Sequence, residues 1–180
     1  SSSRCTNEEI FLVQKLARAV FGNNNIDNCA RICHSPTQFG LSATVGWGAA
    51  SQNFDSIMQP DAIMVVGANP TEGHPVFGSQ LKRRVRQGAK LIVIDPRRTE
   101  TADKCHQHLA LMPGTDGALA LGLMHELIAN DWLDHDYLAH HVDGWPALRE
   151  RALQWPPQRT ARECGLSVDE VKGLADRKST

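Results

Sequence analysis

At 180 residues the chain has the size of one ordinary domain, and its 41% hydrophobic and 22% charged residues suit a globular core that needs no disulfide or metal staple. A net charge of -1, with acids and bases interleaved, excludes the electrostatic footprint of a nucleic-acid or anionic-membrane binder. Five scattered cysteines without a Cys-x-x-Cys argue against a disulfide framework. Reduced thiols and a cytoplasmic location are the expectation, with the periplasm left open.

In chain order, Ser1-Ser2-Ser3-Arg4 lacks the apolar stretch of a signal peptide and an initiator Met. Thr6-Asn7-Glu8-Glu9 reads as a capping box opening a helix from about Asn7 to Val20. Ile10, Val13, Leu16, Ala17 and Val20 recur at three and four, which predicts one buried face. Phe21-Gly22 stops this helix. A second is expected from about Ser35 to Ser42, with Pro36 in its first turn.

The pattern then changes. Ala62 to Val66 is a short apolar run ending in Gly67, residues 75 to 87 are amphipathic and stopped by Gly88, and Lys90 to Ile94 is a second run ending at Asp95-Pro96. This is a βαβ unit of a parallel sheet covered on both faces. Neither run is long enough to cross a membrane. Lys82-Arg83-Arg84 and Arg86 fall at helical spacing and read as a solvated face. A third strand is expected at His108 to Met112, then a helix from about Gly117 to Asn130. Short helices follow around Tyr137, Leu148 and Val171, broken by Gly144, Pro146 and Pro156-Pro157. The expected fold is α/β: a doubly wound, three-layer (αβα) parallel-sheet core at 61–130, with a helical segment at 1–60 and a helical extension at 131–180.

Ligands on such sheets bind beyond the carboxyl ends of the strands. Here those ends are Gly67-Ala68-Asn69-Pro70, Asp95-Pro96-Arg97-Arg98 and Pro113-Gly114-Thr115-Asp116. Helices starting after them would aim free N–H groups at an anion such as a pyrophosphate; plain turns are the alternative. The absence of Gly-x-Gly-x-x-Gly and Walker patterns disfavours NAD in the usual mode and P-loop hydrolysis. Asp95 ends an apolar strand and needs a partner. Guanine's N1–H and N2–H would suit it, and so would Arg97, Arg98 or a helix cap. Asp116 reads as a helix cap or as a contact to a ribose or base. Cys33 precedes a helix N-terminus, where the dipole favours a thiolate, a ligand for soft or high-valent metals. His34 beside it could exchange a proton. A zinc set of Cys29, Cys33, His106 and His108 fits the spacings poorly. His125, His135, His140 and His141 show no common metal-binding face.

The segment Asn24 to Pro36, containing Cys29-Ala30-Arg31-Ile32-Cys33-His34-Ser35-Pro36, resembles the metal-ligand loop of the molybdopterin oxidoreductases, and among them the formate dehydrogenases. So do Gly67-Ala68-Asn69-Pro70-Thr71-Glu72-Gly73-His74-Pro75, Asp95-Pro96-Arg97-Arg98-Thr99 and Pro113-Gly114-Thr115-Asp116, in the same order and at similar separations. The resemblance implies that Cys33 is the metal ligand and acts catalytically with His34. It also implies that Ala68, Asn69, Glu72, Gly73, Ile94, Asp95, Pro96, Arg97, Leu111, Gly114 and Asp116 hold one guanine dinucleotide arm of a bis(molybdopterin guanine dinucleotide) cofactor carrying molybdenum or tungsten. The implied reaction is oxidation of formate to carbon dioxide, or the reverse. The hydrogen's departure as hydride or proton stays open. The implied partners are the remaining domains of the same enzyme and electron-transfer subunits. The family's 4Fe-4S cluster motif is not among these residues. The chain is therefore expected to be a segment of a larger enzyme, metal-free, inactive and marked by exposed apolar patches when alone. Two alternatives remain: another molybdopterin oxidoreductase such as a nitrate reductase, and a cofactor- or guanine-nucleotide-binding domain without activity of its own.

Overall fold

The structure, a computed structural model, describes Ser2 and residues 5–179, with side chains in the last helix described as far as Asp176. The sequence reading of the N-terminal serines and Arg4 lies largely outside the described residues. The chain divides into two compact units, Ser1–Asn53 and Phe54–Thr180.

The first unit is helical. Helix α1 (Asn7–Ala19) opens on the expected capping box: Thr6 Oγ1 accepts from Glu9 N and Glu9 Oε2 accepts from Thr6 N. A single turn, α2 (Ala30–Cys33), leads through His34 into α3 (Ser35–Val45), which has Pro36 in its first turn and ends at Gly46 with φ 73°. No residue of the three helices is buried. The expected burial of one α1 face is therefore corrected: Val13, Leu16 and Val20 are exposed, as are Phe11 and Leu12. Helical periodicity marks a face fit for burial; it does not supply the layer that covers it.

The second unit holds the sheet. A 3₁₀ turn at Phe54–Met58 precedes β1 (Ala62–Val66), the short α4 (Pro70–Gly73) and α5 (Pro75–Arg86). Then come β2 (Lys90–Ile94), a 3₁₀ turn at Ala102–Lys104, and β3 (Gln107–Leu109). Helices α6 (Asp116–Ala129), α7 (His135–His141), α8 (Trp145–Leu153), α9 (Pro157–Cys164) and α10 (Val168–Ser179) complete the chain. The strands are all parallel in the order β1-β2-β3, with Ala62 opposite Lys90 and Val93 opposite His108.

Central strand β2 shows why the core has three layers. Leu91 and Val93 pack with Ile63, Leu81 of α5 and Ala102. Ile92 and Ile94 point the other way, into Leu109, Leu111, Leu119, Leu123, Ala161 and Leu174 of the later elements. Each fully buried side chain of this kind contributes roughly 1.5–3 kcal/mol, which is why an uninterrupted apolar run sits between two helical layers. Helices α6 and α9 meet closely at Gly122, where a Cβ would fall within 3 Å of Thr160, a fully buried residue.

Several expectations change. The third strand is shorter than 108–112. Asp95 N donates to Leu109 O, but Met112 N turns to Cys164 O, and Pro96 has no N–H to continue the ladder. Pro146 and Pro157 do not break helices; they stand in the first turns of α8 and α9, where a missing N–H costs nothing. The basic run on α5 is not wholly solvated, because the 13%-exposed Arg84 side chain pairs with Asp61 at 2.8 Å and its Nε donates to Pro60 O. No helix among the described residues is long and apolar enough to cross a membrane.

Candidate cofactor site

Because the strands are parallel and in register, the segments after β1 and β2 leave the sheet at one edge, and the chain leaves β3 on that side. Gly67 adopts φ 58°, a conformation that favours glycine, while its N–H still donates to Ile94 O at 2.9 Å. The chain then turns through exposed Ala68 and half-buried Asn69 into α4. Within α4 the backbone donors are all used: Glu72 N and Gly73 N both donate to Asn69 O, and Thr71 N donates outside the helix to Thr101 Oγ1. In this loop the N–H groups of Ala68 and Asn69 have no partner among the described residues.

The Asn69 side chain is held on both sides. Its Oδ1 accepts from Thr101 Oγ1 at 2.8 Å and its Nδ2 donates to Glu72 Oε2 at 3.0 Å. Glu72 and Gly73 are exposed. Thr101 had no place in the sequence reading. Its partner lies 32 residues away, and a threonine in a polar loop carries no local signal of such a bond.

After β2, Asp95 is half-buried, and its Oδ1 accepts from Arg97 N at 2.8 Å in a tight turn. Its carbonyl oxygen meets His108 Nε2 at 2.9 Å. No guanidinium pairs with its carboxylate among the described residues: Arg98 Nε goes to Asp103 Oδ1 instead, at 2.9 Å. One carboxylate oxygen of Asp95 thus has no protein partner among the described residues. Pro96 and Arg97 are exposed beside it. The side chains of Ile94 and Leu111 are in the core, so only their backbones could face a ligand.

At the third segment Gly114 has φ 83°, and Thr115 Oγ1 donates to Met112 O at 2.6 Å. Thr115 occupies the N-cap position of α6 without a side-chain cap bond, and Asp116 stands exposed as the first helical residue. Leu119 N is the first to bond within the helix, to Thr115 O, so the N–H groups of Asp116, Gly117 and Ala118 are left without helical partners. The Asp116 carboxylate opposes an anion there and suits a hydroxyl or amine donor better. The expectation of anion-directed helix starts after every loop is thereby narrowed. Among the described residues, free N–H groups stand at Ala68, Asn69 and the start of α6, while those of α4 are spent.

Cys33 and His34 belong to the other unit. Cys33 is the last residue of α2, exposed, with its N–H bonded to Cys29 O. His34 is the N-cap of α3 but uses its backbone rather than its ring. No group of three or more His, Cys, Asp or Glu side chains suited to a metal ion occurs among the described residues. His106 Nδ1 instead accepts from Leu91 N, and His135 and His140 pair with Asp131 and Asp136.

Comparison with known proteins sets this geometry in context. The chain is 36% identical over 185 residues to the F420-dependent formate dehydrogenase subunit alpha of Methanocaldococcus jannaschii, covering 99% of this chain and 28% of that protein. It is 37% identical over 175 residues to formate dehydrogenase H of Escherichia coli, covering 97% and 24%. Among solved structures, acetylene hydratase from Pelobacter acetylenicus superposes with a TM-score of 0.73 at 26% identity, covering 91% of this chain and 22% of that one. The chain thus spans about a quarter of the length of these relatives. The family profile described as molybdopterin oxidoreductase matches residues 1–151, and the chain belongs to that family.

Proposed function

We propose that this chain is the part of a formate dehydrogenase catalytic subunit that ligates molybdenum or tungsten through Cys33. Along the sheet edge it holds one arm of a bis(molybdopterin guanine dinucleotide) cofactor. The observation that carries this reading is similarity to formate dehydrogenases over nearly the whole chain. The overall reaction is formate to carbon dioxide, a proton and two electrons, or its reverse.

The donor set fits such a cofactor. A carboxylate oxygen without a protein partner among the described residues follows β2 at Asp95, where guanine can offer two N–H donors. The unspent N–H groups of Ala68, Asn69 and the α6 start suit phosphate and sugar oxygens. Cys33 offers sulfur, the ligand type that soft and high-valent metals take. When bound, the cofactor supplies the two-electron redox chemistry. The protein's residues bind and orient it. The His34 ring makes no protein hydrogen bond among the described residues and can hold or pass a proton beside Cys33. A 4Fe-4S cluster and electron-transfer subunits belong to the remainder of this proposed enzyme.

A molybdopterin enzyme acting on another substrate is the second reading, supported by the likeness to a protein named a hydratase. Metal analysis and parallel assays with formate and nitrate on the complete enzyme decide between them. Stoichiometric molybdenum or tungsten with formate turnover is expected. Turnover of nitrate without formate activity would overturn the first reading.

A further inference from the structure

The hydroxyl of Thr101 joins two segments of the candidate cofactor edge. Its residue is only 2% exposed, yet Thr101 Oγ1 donates to Asn69 Oδ1 at 2.8 Å, accepts from Thr71 N at 3.3 Å and lies 2.9 Å from Thr71 Oγ1. A hydroxyl has one hydrogen to give and two acceptor positions. Since the Thr101 hydrogen goes to Asn69, the Thr71 hydroxyl donates to Thr101. The polarity then runs in one direction, from Thr71 through Thr101 and Asn69 to Glu72, where Asn69 Nδ2 donates to Oε2.

Thr101 is itself fixed from behind. Thr99 Oγ1 caps Ala102 N at 3.2 Å, and Lys104 N returns to Thr101 O at 3.2 Å. With its two acceptor positions and one donor all used, the Thr101 hydroxyl has nothing left for a ligand. Its effect is on Asn69: the amide oxygen is held by buried Thr101, while Nδ2 donates to the exposed Glu72. A partly buried bond network of this kind specifies one arrangement and is costly to leave half-satisfied.

We infer that Thr101 is a positioning residue of the nucleotide site. It holds the Asn69–Gly73 turn and the Asn69 amide in the orientation that meets the nucleotide arm of the cofactor, without touching the nucleotide itself. The inference rests on the proposed reading of this edge as a dinucleotide site.

The test compares Thr101→Val, which keeps the shape and deletes the hydroxyl, with Thr101→Ser, which keeps the hydroxyl, in the complete enzyme. Two quantities are read beside the melting midpoint: amide hydrogen exchange across residues 69–74, and guanine nucleotide released per protein on denaturation. In Thr101→Val, exchange at Thr71 should rise at least tenfold while β2 amides keep their protection, and nucleotide content should fall severalfold. Thr101→Ser should restore both. If the valine variant does not fold, Thr101→Ala, which leaves room for a water, takes its place with the same expectations. Unchanged exchange at Thr71, full nucleotide content in a loosened variant, or failure of serine to rescue overturns the inference. Wild-type enzyme free of guanine nucleotide overturns the underlying dinucleotide reading, and that result is distinct from a valine variant that carries as much nucleotide as wild type.

Discussion

Replacing Asp95 by asparagine separates two jobs that its carboxylate can perform. The turn after β2 needs one oxygen, to accept Arg97 N at 2.8 Å, and an asparagine amide oxygen can still supply it. The other carboxylate oxygen has no protein partner among the described residues, and it becomes an NH₂ group in the variant. Guanine presents N–H donors, so an attractive charge-assisted bond turns into a donor facing a donor. Such a bond contributes about 1.5–3 kcal/mol. With the added mismatch the loss should be about 2–4 kcal/mol, or roughly 30- to 1,000-fold in affinity. Calorimetric titration with guanosine and inosine diphosphates is the assay, because inosine lacks the N2 amine. Wild-type protein should favour guanosine, and Asp95→Asn should bind both weakly and about equally. Native affinity with native preference in Asp95→Asn would refute guanine recognition by this carboxylate and leave Asp95 as a turn residue.

Three further outcomes follow from packing and protonation. Gly122→Ala should destabilise the second unit by about 1–3 kcal/mol in thermal or urea unfolding, because the new Cβ meets buried Thr160; stabilisation of the kind an exposed helical glycine gives would show that the α6–α9 approach is looser. In metal-free protein, iodoacetamide should modify exposed Cys33 well before Cys164, whose thiol burial pushes up in pKa; equal rates would contradict its burial. Hydrogen bonds from the Ser167 backbone and side chain hold the Glu170 carboxyl below the ordinary range. Its stabilisation is therefore present above the unfolded-state pKa and is lost as pH falls through the lower folded-state value. Hydrogen exchange at the start of α10 should lose protection in acid, and Glu170→Gln should flatten that dependence; an unchanged acid response in the variant would rule it out.

The parts of the fold legible in the sequence were those written in local pattern. Strands 62–66 and 90–94 are unbroken apolar runs ended by Gly67 and by Asp95-Pro96, and both have the expected bounds. Thr6 and Glu9 announced α1 by chemistry confined to four residues. Features that depend on distant partners were not legible. The third strand stops early because Met112 finds Cys164 O, 52 residues on. Pro157 reads as a breaker until the chain before it is seen to be extended, whereupon it becomes a helix start. The amphipathic face of α1 was read correctly as a pattern and wrongly as buried. At the candidate site, Asp95 could be singled out because a carboxylate at the end of an apolar strand is locally anomalous. Thr101 could not, since its importance lies in bonds to Asn69 and Thr71.

The most direct test of the central claim is metal-edge X-ray absorption on the complete enzyme, wild type against Cys33→Ser, each loaded with metal. If Cys33 is a ligand, the variant's metal should lose one sulfur scatterer and gain a lighter one, with loss of most formate oxidation. An unchanged sulfur shell with undiminished turnover would contradict the assignment of Cys33 and the account built on it.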